Sequence, residues 1–179
     1  MLSGGFRWVA GEQRSSVLVF EQGDESFSLG IDKHRLVPLG EWVPSIPGGN
    51  FFGLSAVGGL HAGEPSRLLK WSGPPAAVAI CYELSDGSSI ASAVNLGAQW
   101  ILAVANLDPY PIALQHQYLS LAKVRSIETG RDLLSVANTG PTLKVSSTGE
   151  AKQLIPSFKE GIVLTDFNLH VSPTGYTLW

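Results

Sequence analysis

Apolar and polar positions along the chain fall into short runs, and most runs have the length of strands. Residues 1–9 (MLSGGFRWV) read as a strand from the outset, and Val17-Leu18-Val19-Phe20 closes a second over 15–20. Gln22-Gly23-Asp24 reads as a turn. Residues 26–31 then alternate polar and apolar side chains, as a half-buried partner strand does. The first 31 residues therefore predict a strand meander ending in a hairpin. Further on, 68–71 and Ala76–Ile80 are predicted strands about a Gly73-Pro74-Pro75 turn, the second unbroken in its apolar character and so fully buried. Residues 88–94 predict a helix stopped by Gly97-Ala98, and 99–105 another buried strand. Strand, helix, strand in that order requires a crossover and parallel pairing. Over 113–129, Leu114, Tyr118, Leu121, Ala122 and Val124 recur at helical spacing, with Gly130 as the stop. Leu133–Ala137 and 143–145 are predicted strands, 147–150 a hairpin turn, and 161–167 the strand that closes the set.

Two stretches carry neither period. Residues 32–44 mix charge with Leu36, Val37 and Trp42, and Pro38, Gly40 and Pro44 argue against a helix. Such a loop suits the wall of a site; it equally suits a plug at the core edge. Residues 45–65 are rich in Gly, Ser and Pro yet carry Ile46, Phe51, Phe52, Leu54, Val57 and Leu60. Glycine pairs at 48–49 and 58–59 bracket the aromatic residues and give the backbone freedom to open and close. The expectation is a mobile flap over 46–60 whose Phe51, Phe52 and Leu54 contact lipid; the alternative is a loop folded back onto the core.

Composition narrows the picture. At 179 residues, 44% hydrophobic and 15% charged, the chain fits one globular domain, and no repeat or dividing linker is visible. A net charge of −3 gives no footprint for nucleic acid. One cysteine precludes an internal disulfide. No charged region followed by an apolar core opens the chain, and no run approaches the roughly 18 apolar residues of a membrane helix. The chain opens at once on a strand with no leading turn or cap, and Gly175-Tyr176-Thr177-Leu178-Trp179 stops without a terminal element, which suggests a piece of something longer.

The candidate chemistry centres on Cys81, where the apolar strand breaks off into Cys81-Tyr82-Glu83 and leads toward a helix. Backbone N–H groups at such a turn favour an anion, whether a thiolate or an oxyanion. A lone cysteine after an apolar strand is also a common buried hydrophobe. A nucleophilic thiol needs a proton acceptor and oxyanion donors. The histidines, His34 and His116 among them, have no local signature that pairs them with Cys81. Lys33 and Glu41 flank a rigid loop that could meet the Cys81 turn, and lysine carries a compact charge suited to thiolate and oxyanion. With no C-x-x-C and no His/Cys cluster, neither metal nor cofactor is expected.

The run Lys33-His34-Arg35-Leu36-Val37-Pro38-Leu39-Gly40-Glu41-Trp42-Val43-Pro44, followed by Ile80-Cys81-Tyr82-Glu83, resembles the nitrilase (carbon–nitrogen hydrolase) superfamily, and within it the apolipoprotein N-acyltransferase branch. Gly97-Ala98-Gln99-Trp100, Gln115-His116, the run from Arg125 to Arg131 and Asn138-Thr139-Gly140 extend the likeness from Phe6 to Trp179. The resemblance implies an α+β fold of the nitrilase type, an α-β-β-α sandwich truncated at its N-terminus, with residues 1–179 one partial domain. It implies Cys81 as nucleophile, Lys33 as the lysine of a Glu–Lys–Cys triad, and Glu41 and Glu83 as supporting carboxylates near that lysine. The Tyr82 N–H becomes an oxyanion donor. The implied reaction is ping-pong: a phospholipid acyl donor charges the cysteine as a thioester, and the free amine of a diacylglyceryl-cysteine on an apolipoprotein accepts the chain. The implied setting is the bacterial inner membrane, with the catalytic domain at the membrane surface on its outer, periplasmic face.

The resemblance also leaves gaps. The general-base glutamate of the family falls before the point where this sequence begins, as does its transmembrane bundle. Asn106-Leu107-Asp108-Pro109-Tyr110 departs from the family's Asn-Asp-x-Trp-Phe. Two other readings stand beside it: a soluble nitrilase-type amidohydrolase, and an inactive fragment or binding module.

Overall fold

The computed structural model describes residues 1–23, 25–42, 59–108 and 110–179. The chain divides into two compact units, Met1–Pro65 and Ser66–Trp179.

In the first unit, β1 (Leu2–Val9), β2 (Glu12–Val19) and β3 (Leu29–Asp32) form an antiparallel sheet in chain order. The meander is as expected, with different bounds. Ala10 and Gly11 both take positive φ, 51° and 84°, so a two-residue turn joins β1 to β2 and pairs Val9 with Glu12 at once. The polar residues Glu12, Gln13 and Arg14 are thereby drawn into β2. The third strand is shorter than its alternation suggested, 29–32 in place of 26–31. Val17, Val19 and Ile31 supply the buried face. At its end Asp32 accepts from Arg7 Nε and Nη2 at 2.6 and 2.8 Å and from Ser16 Oγ at 2.7 Å. Burial opposes ionisation of Asp32, but the Arg7 guanidinium, Ser16 and Arg14 outweigh it and hold the carboxyl below its usual range.

The second unit is built on a six-stranded sheet in the order β4-β5-β6-β7-β8-β9. Here β4 is Leu68–Leu69, β5 Ala76–Ile80, β6 Trp100–Ala105, β7 Leu133–Ala137, β8 Thr142–Val145 and β9 Ala151–Ile155. Strands β5, β6 and β7 are parallel, joined through helices α1 (Gly87–Asn95) and α2 (Ile112–Thr129). Every residue of β5 is buried, as an apolar run in a parallel sheet must be. Ile90 and Val94 of α1 and Tyr118 and Ala122 of α2 pack with Ile101 and Leu133 in the core. Gly130 closes α2 at φ +63°, the left-handed cap its position called for.

One expected strand is absent. Residues 161–167 form no strand, and the partner of β8 is β9, at 151–155. Gly149, at φ +86°, sits in the turn that closes that hairpin, with the Ser146 N–H donating to Glu150 O. Ile162 and Leu164, within that expected strand, are fully exposed, so nothing rewards their pairing. The segment beyond β9 is tied down by polar groups. Asp132 accepts from the N–H of Ser147 and of Asn168, each at 2.9 Å, and lies 3.1 Å from His170 Nε2. Arg131 donates to the carbonyls of Ala98 and Ser172 at 3.0 and 2.8 Å.

Candidate active site

In the first unit, β3 leads directly into Lys33, whose backbone is fixed on both sides. Its N–H donates to Ser15 O at 2.7 Å, and its carbonyl accepts from Gly63 N at 2.8 Å. The side chain is buried, 1% exposed, and Nζ reaches Glu41 Oε1 and Oε2 at 2.7 Å each. A buried lysine needs such a partner, because an unpaired charge there is costly. Glu41 is held in turn: Oε2 accepts from Val37 N–H at 2.8 Å, and its own N–H donates to Val37 O at 2.8 Å. Leu39, at φ +62°, turns the loop back so that its N–H meets Trp42 O. The proline loop is thus a rigid bracket placing a carboxylate on a lysine.

In the second unit, Cys81 follows the last residue of β5 at φ +54° and opens a 3₁₀ helix, Cys81–Ser85. A non-glycine residue in the left-handed region is strained and persists only where its surroundings dictate it. Here Glu83 dictates it. Its carboxylate accepts from Ile80 N–H at 3.0 Å and from Arg67 Nη1 at 3.1 Å to both oxygens. Arg67 and Glu83 are 2% and 3% exposed in their side chains, and Arg67 O accepts from Val78 N–H of β5. The carboxylate thus bridges the segment before β4 to the end of β5, on the far side of the Cys81 bend. The α-helix expected next begins at Gly87, capped by the Asp86 carboxylate; the 3₁₀ turn lies between it and the thiol.

Cys81 opens onto a cavity of about 280 Å³ lined also by Tyr82, Ser85, Leu107, Tyr110, Leu114, Gln117, Tyr118 and Leu121. Its surface is almost wholly apolar. Tyr82, half exposed, stands at this cavity. Burial pushes the Tyr118 phenol well above its ordinary range, and negative charge at Cys81 and Glu83 pushes it the same way. Its hydroxyl has no hydrogen-bond partner among the described residues.

The structure therefore gathers the sequence-derived candidates into two groups, Lys33 with Glu41 and Cys81 with Tyr82 and Glu83. Phe51, Phe52 and Leu54 lie outside the described residues, as does the expected flap apart from Gly59 and Leu60. Leu60 is buried, and its N–H donates to Glu41 O at 3.1 Å. Sequence reasoning did not find Arg67 or the polar role open to Tyr118. Arg67 is a single cation beside Pro65 and Ser66, with no motif around it, and Tyr118 sits where helical spacing asks for a core residue. Among the described residues no group of three or more His, Cys, Asp or Glu could hold a metal.

No family model matches the chain. Curated relatives do. It is 63% identical over all 179 residues to an apolipoprotein N-acyltransferase of Prochlorococcus marinus (strain MIT 9313), covering 36% of that protein. It is 52% identical over 177 residues to the apolipoprotein N-acyltransferase of Parasynechococcus marenigrum, covering 99% of this chain and 38% of that one. The chain thus spans little more than a third of these relatives' length. Among solved structures, a carbon–nitrogen hydrolase from Helicobacter pylori superposes over 87% of this chain and 58% of its own, with a TM-score of 0.63 at 14% identity. A Saccharomyces cerevisiae member of the nitrilase superfamily superposes over 82% and 51%, with a TM-score of 0.61 at 13% identity. At that identity the likeness concerns the fold, which is the expected mixture of α and β of the nitrilase type. The relatives that match this chain from end to end are named apolipoprotein N-acyltransferase, and the solved structures that share its fold are members of the nitrilase superfamily.

Proposed function

We propose that this chain carries the nucleophilic part of a lipoprotein N-acyltransferase, with Cys81 taking the acyl group. The observation that carries the reading is the apolar cavity on which Cys81 opens. A site for small amides needs polar groups to hold the amide; an acyl chain needs apolar wall, and each buried methylene contributes about 0.8 kcal/mol. The strained Cys81 turn adds support, since it presents the thiol at the end of a buried strand. A related fold, the amidase of Nesterenkonia, is described with the acetamide moiety of fluoroacetamide added covalently at its active-site cysteine.

The chemistry proceeds in two displacements. Cys81 Sγ bonds to the carbonyl carbon of a phospholipid ester, the ester C–O bond breaks, and the thiol proton ends on the departing glyceride oxygen. The amine of a diacylglyceryl-cysteine on an apolipoprotein then bonds to the thioester carbon, the C–S bond breaks, and an amine proton returns to sulfur. Lys33, held by Glu41, stabilises thiolate and oxyanion, and the Tyr82 N–H is a further oxyanion donor. Glu83 fixes the turn. Phe51, Phe52 and Leu54 are assigned to lipid contact. The setting is the outer face of the bacterial plasma membrane; within this chain no described helix is long and apolar enough to cross it.

The test is intact mass spectrometry of a full-length enzyme carrying this chain, incubated with phospholipid. An acyl adduct mapping to Cys81, lost in Cys81→Ala, is expected. An adduct on another residue, or hydrolysis of short amides with no adduct from lipid, overturns the reading.

A further inference from the structure

Tyr118 lines the apolar cavity on which Cys81 opens, and its hydroxyl is buried with no hydrogen-bond partner among the described residues. The residue is 9% exposed, and it lies on α2 and lines the cavity together with Cys81 and Leu107. Buried hydroxyls are nearly always bonded, because leaving one unmatched forfeits its hydration. Phenylalanine would fill the same core position at no such cost. A tyrosine here has a use when something enters the cavity and accepts its proton.

We propose that Tyr118 is a catalytic hydrogen-bond donor, its hydroxyl bonding to the carbonyl oxygen of the acyl group carried on Cys81. This deepens the acyl-transfer reading and rests on Cys81 being the acylated residue. An acyl chain in this cavity brings one polar atom with it, the carbonyl oxygen next to sulfur. Tyr110 and Gln117 also line the space, and the Tyr110 carbonyl already accepts from Gln115 Nε2 at 3.4 Å. Burial above all, with the Glu83 carboxylate, keeps the phenol protonated, so it donates and does not act as a base. As negative charge develops on the carbonyl oxygen during attack, a donor fixed in an apolar wall strengthens its bond most, and that difference lowers the barrier.

The test is Tyr118→Phe in a full-length enzyme carrying this chain, with phospholipid and p-nitrophenyl acetate as separate acyl donors. Three quantities are read: the rate of acyl-Cys81 formation by intact mass, the rate of Cys81 alkylation by iodoacetamide, and the infrared carbonyl stretch of a ¹³C-labelled thioester. Acylation is expected to slow by about 10²-fold, the usual loss for one oxyanion donor. Alkylation, which builds no oxyanion on the acyl carbon, is expected to be unchanged. The thioester stretch is expected to move to higher frequency as the hydrogen bond is lost. Acylation at the wild-type rate, or an unmoved stretch, overturns the proposal. So does alkylation slowed in step with acylation, because the residue would then only shape the cavity. A wild-type enzyme that takes acetyl but no phospholipid chain overturns the lipid reading and leaves the Tyr118 comparison standing on the acetyl-enzyme. No adduct from either donor overturns both.

Discussion

Two loops of this molecule place a glutamate on a buried cation, and they do it with the same three contacts. After β3, Glu41 meets Lys33 Nζ at 2.7 Å through each oxygen and takes the Val37 N–H, four residues back, at 2.8 Å. After β5, Glu83 meets Arg67 Nη1 at 3.1 Å through each oxygen and takes the Ile80 N–H, three residues back, at 3.0 Å. The difference lies in the cation and its depth. The Arg67–Glu83 pair is almost wholly buried and ties two chain segments together across a strained bend. Glu41 keeps 17% of its side chain exposed, and its partner is an ammonium with three donors, not a broad fork. One pair is suited to fixing backbone. The other is suited to holding a compact charge where chemistry can use it.

That contrast breaks first at the deeper pair. Arg67→Met leaves Glu83 buried without its cation, and removing one member of such a pair costs about 3–5 kcal/mol. Urea unfolding of the chain should show that loss, and Arg67→Met combined with Glu83→Leu should recover most of it, since two apolar groups of similar volume replace the pair. A single variant within error of wild type would mean that Glu83 is satisfied without Arg67 and that the bend has another support.

The lysine loop is expected to respond in rate. Lys33→Ala in a full-length enzyme should slow Cys81 acylation by about 10²–10³-fold, equivalent to about 2.7–4 kcal/mol in the barrier. Lys33→Arg should rescue little, because a planar fork does not replace a compact ammonium. Near-normal turnover in Lys33→Ala would reduce this pair to the same backbone role as the other. A milder probe is Glu41→Gln, which keeps the shape and one acceptor; about 1–3 kcal/mol of stability should be lost. If Glu41→Gln costs as much stability as Arg67→Met, the distinction between the two pairs fails.

How far these features could be read beforehand follows from how local they are. The contact of Lys33 with Glu41 closes within nine residues of one loop, and Leu36-Val37-Pro38 and Gly40 announce a rigid turn there. The parallel β5–β6 unit was legible because Ala77-Val78-Ala79-Ile80 and Ile101-Leu102-Ala103-Val104 must be buried on both faces. Arg67 was not legible, because its partner lies sixteen residues away and only folding shows that both are inaccessible. Strand β9 was missed because Lys152 and Gln153 disguise it; its place is set by pairing with β8, where Lys144 faces Lys152. Ile162-Val163-Leu164 misled for the opposite reason, having the right residues for a strand and no neighbour to pair with. Tyr118 was legible as core, and its hydroxyl carried no pattern at all.

The smallest effect comes from Asp132, a buried carboxylate with no lysine or arginine partner among the described residues. Asp132 is 1% exposed and accepts from the N–H groups of Ser147 and Asn168, with His170 Nε2 at 3.1 Å. Burial works against its ionisation, but the two N–H groups and His170 outweigh burial, so its pKa in the folded chain lies below its ordinary value. In the unfolded chain that value is about 3.9. Between the two the unfolded state binds more protons, so Asp132 contributes stability above about pH 4 that is lost as pH falls through the lower folded value. Asp132→Asn keeps the shape and one acceptor oxygen and should cost about 1 kcal/mol at neutral pH. The gap between wild type and variant in urea unfolding should then narrow steadily below about pH 4, because both side chains become neutral. The Asn168 amide should exchange faster in the variant at neutral pH, since the segment beyond β9 is held there by that bond. A gap that stays the same from pH 7 to well below pH 4 would show that the carboxylate charge contributes nothing, and that N–H donors alone do not replace a cation in holding a buried carboxylate.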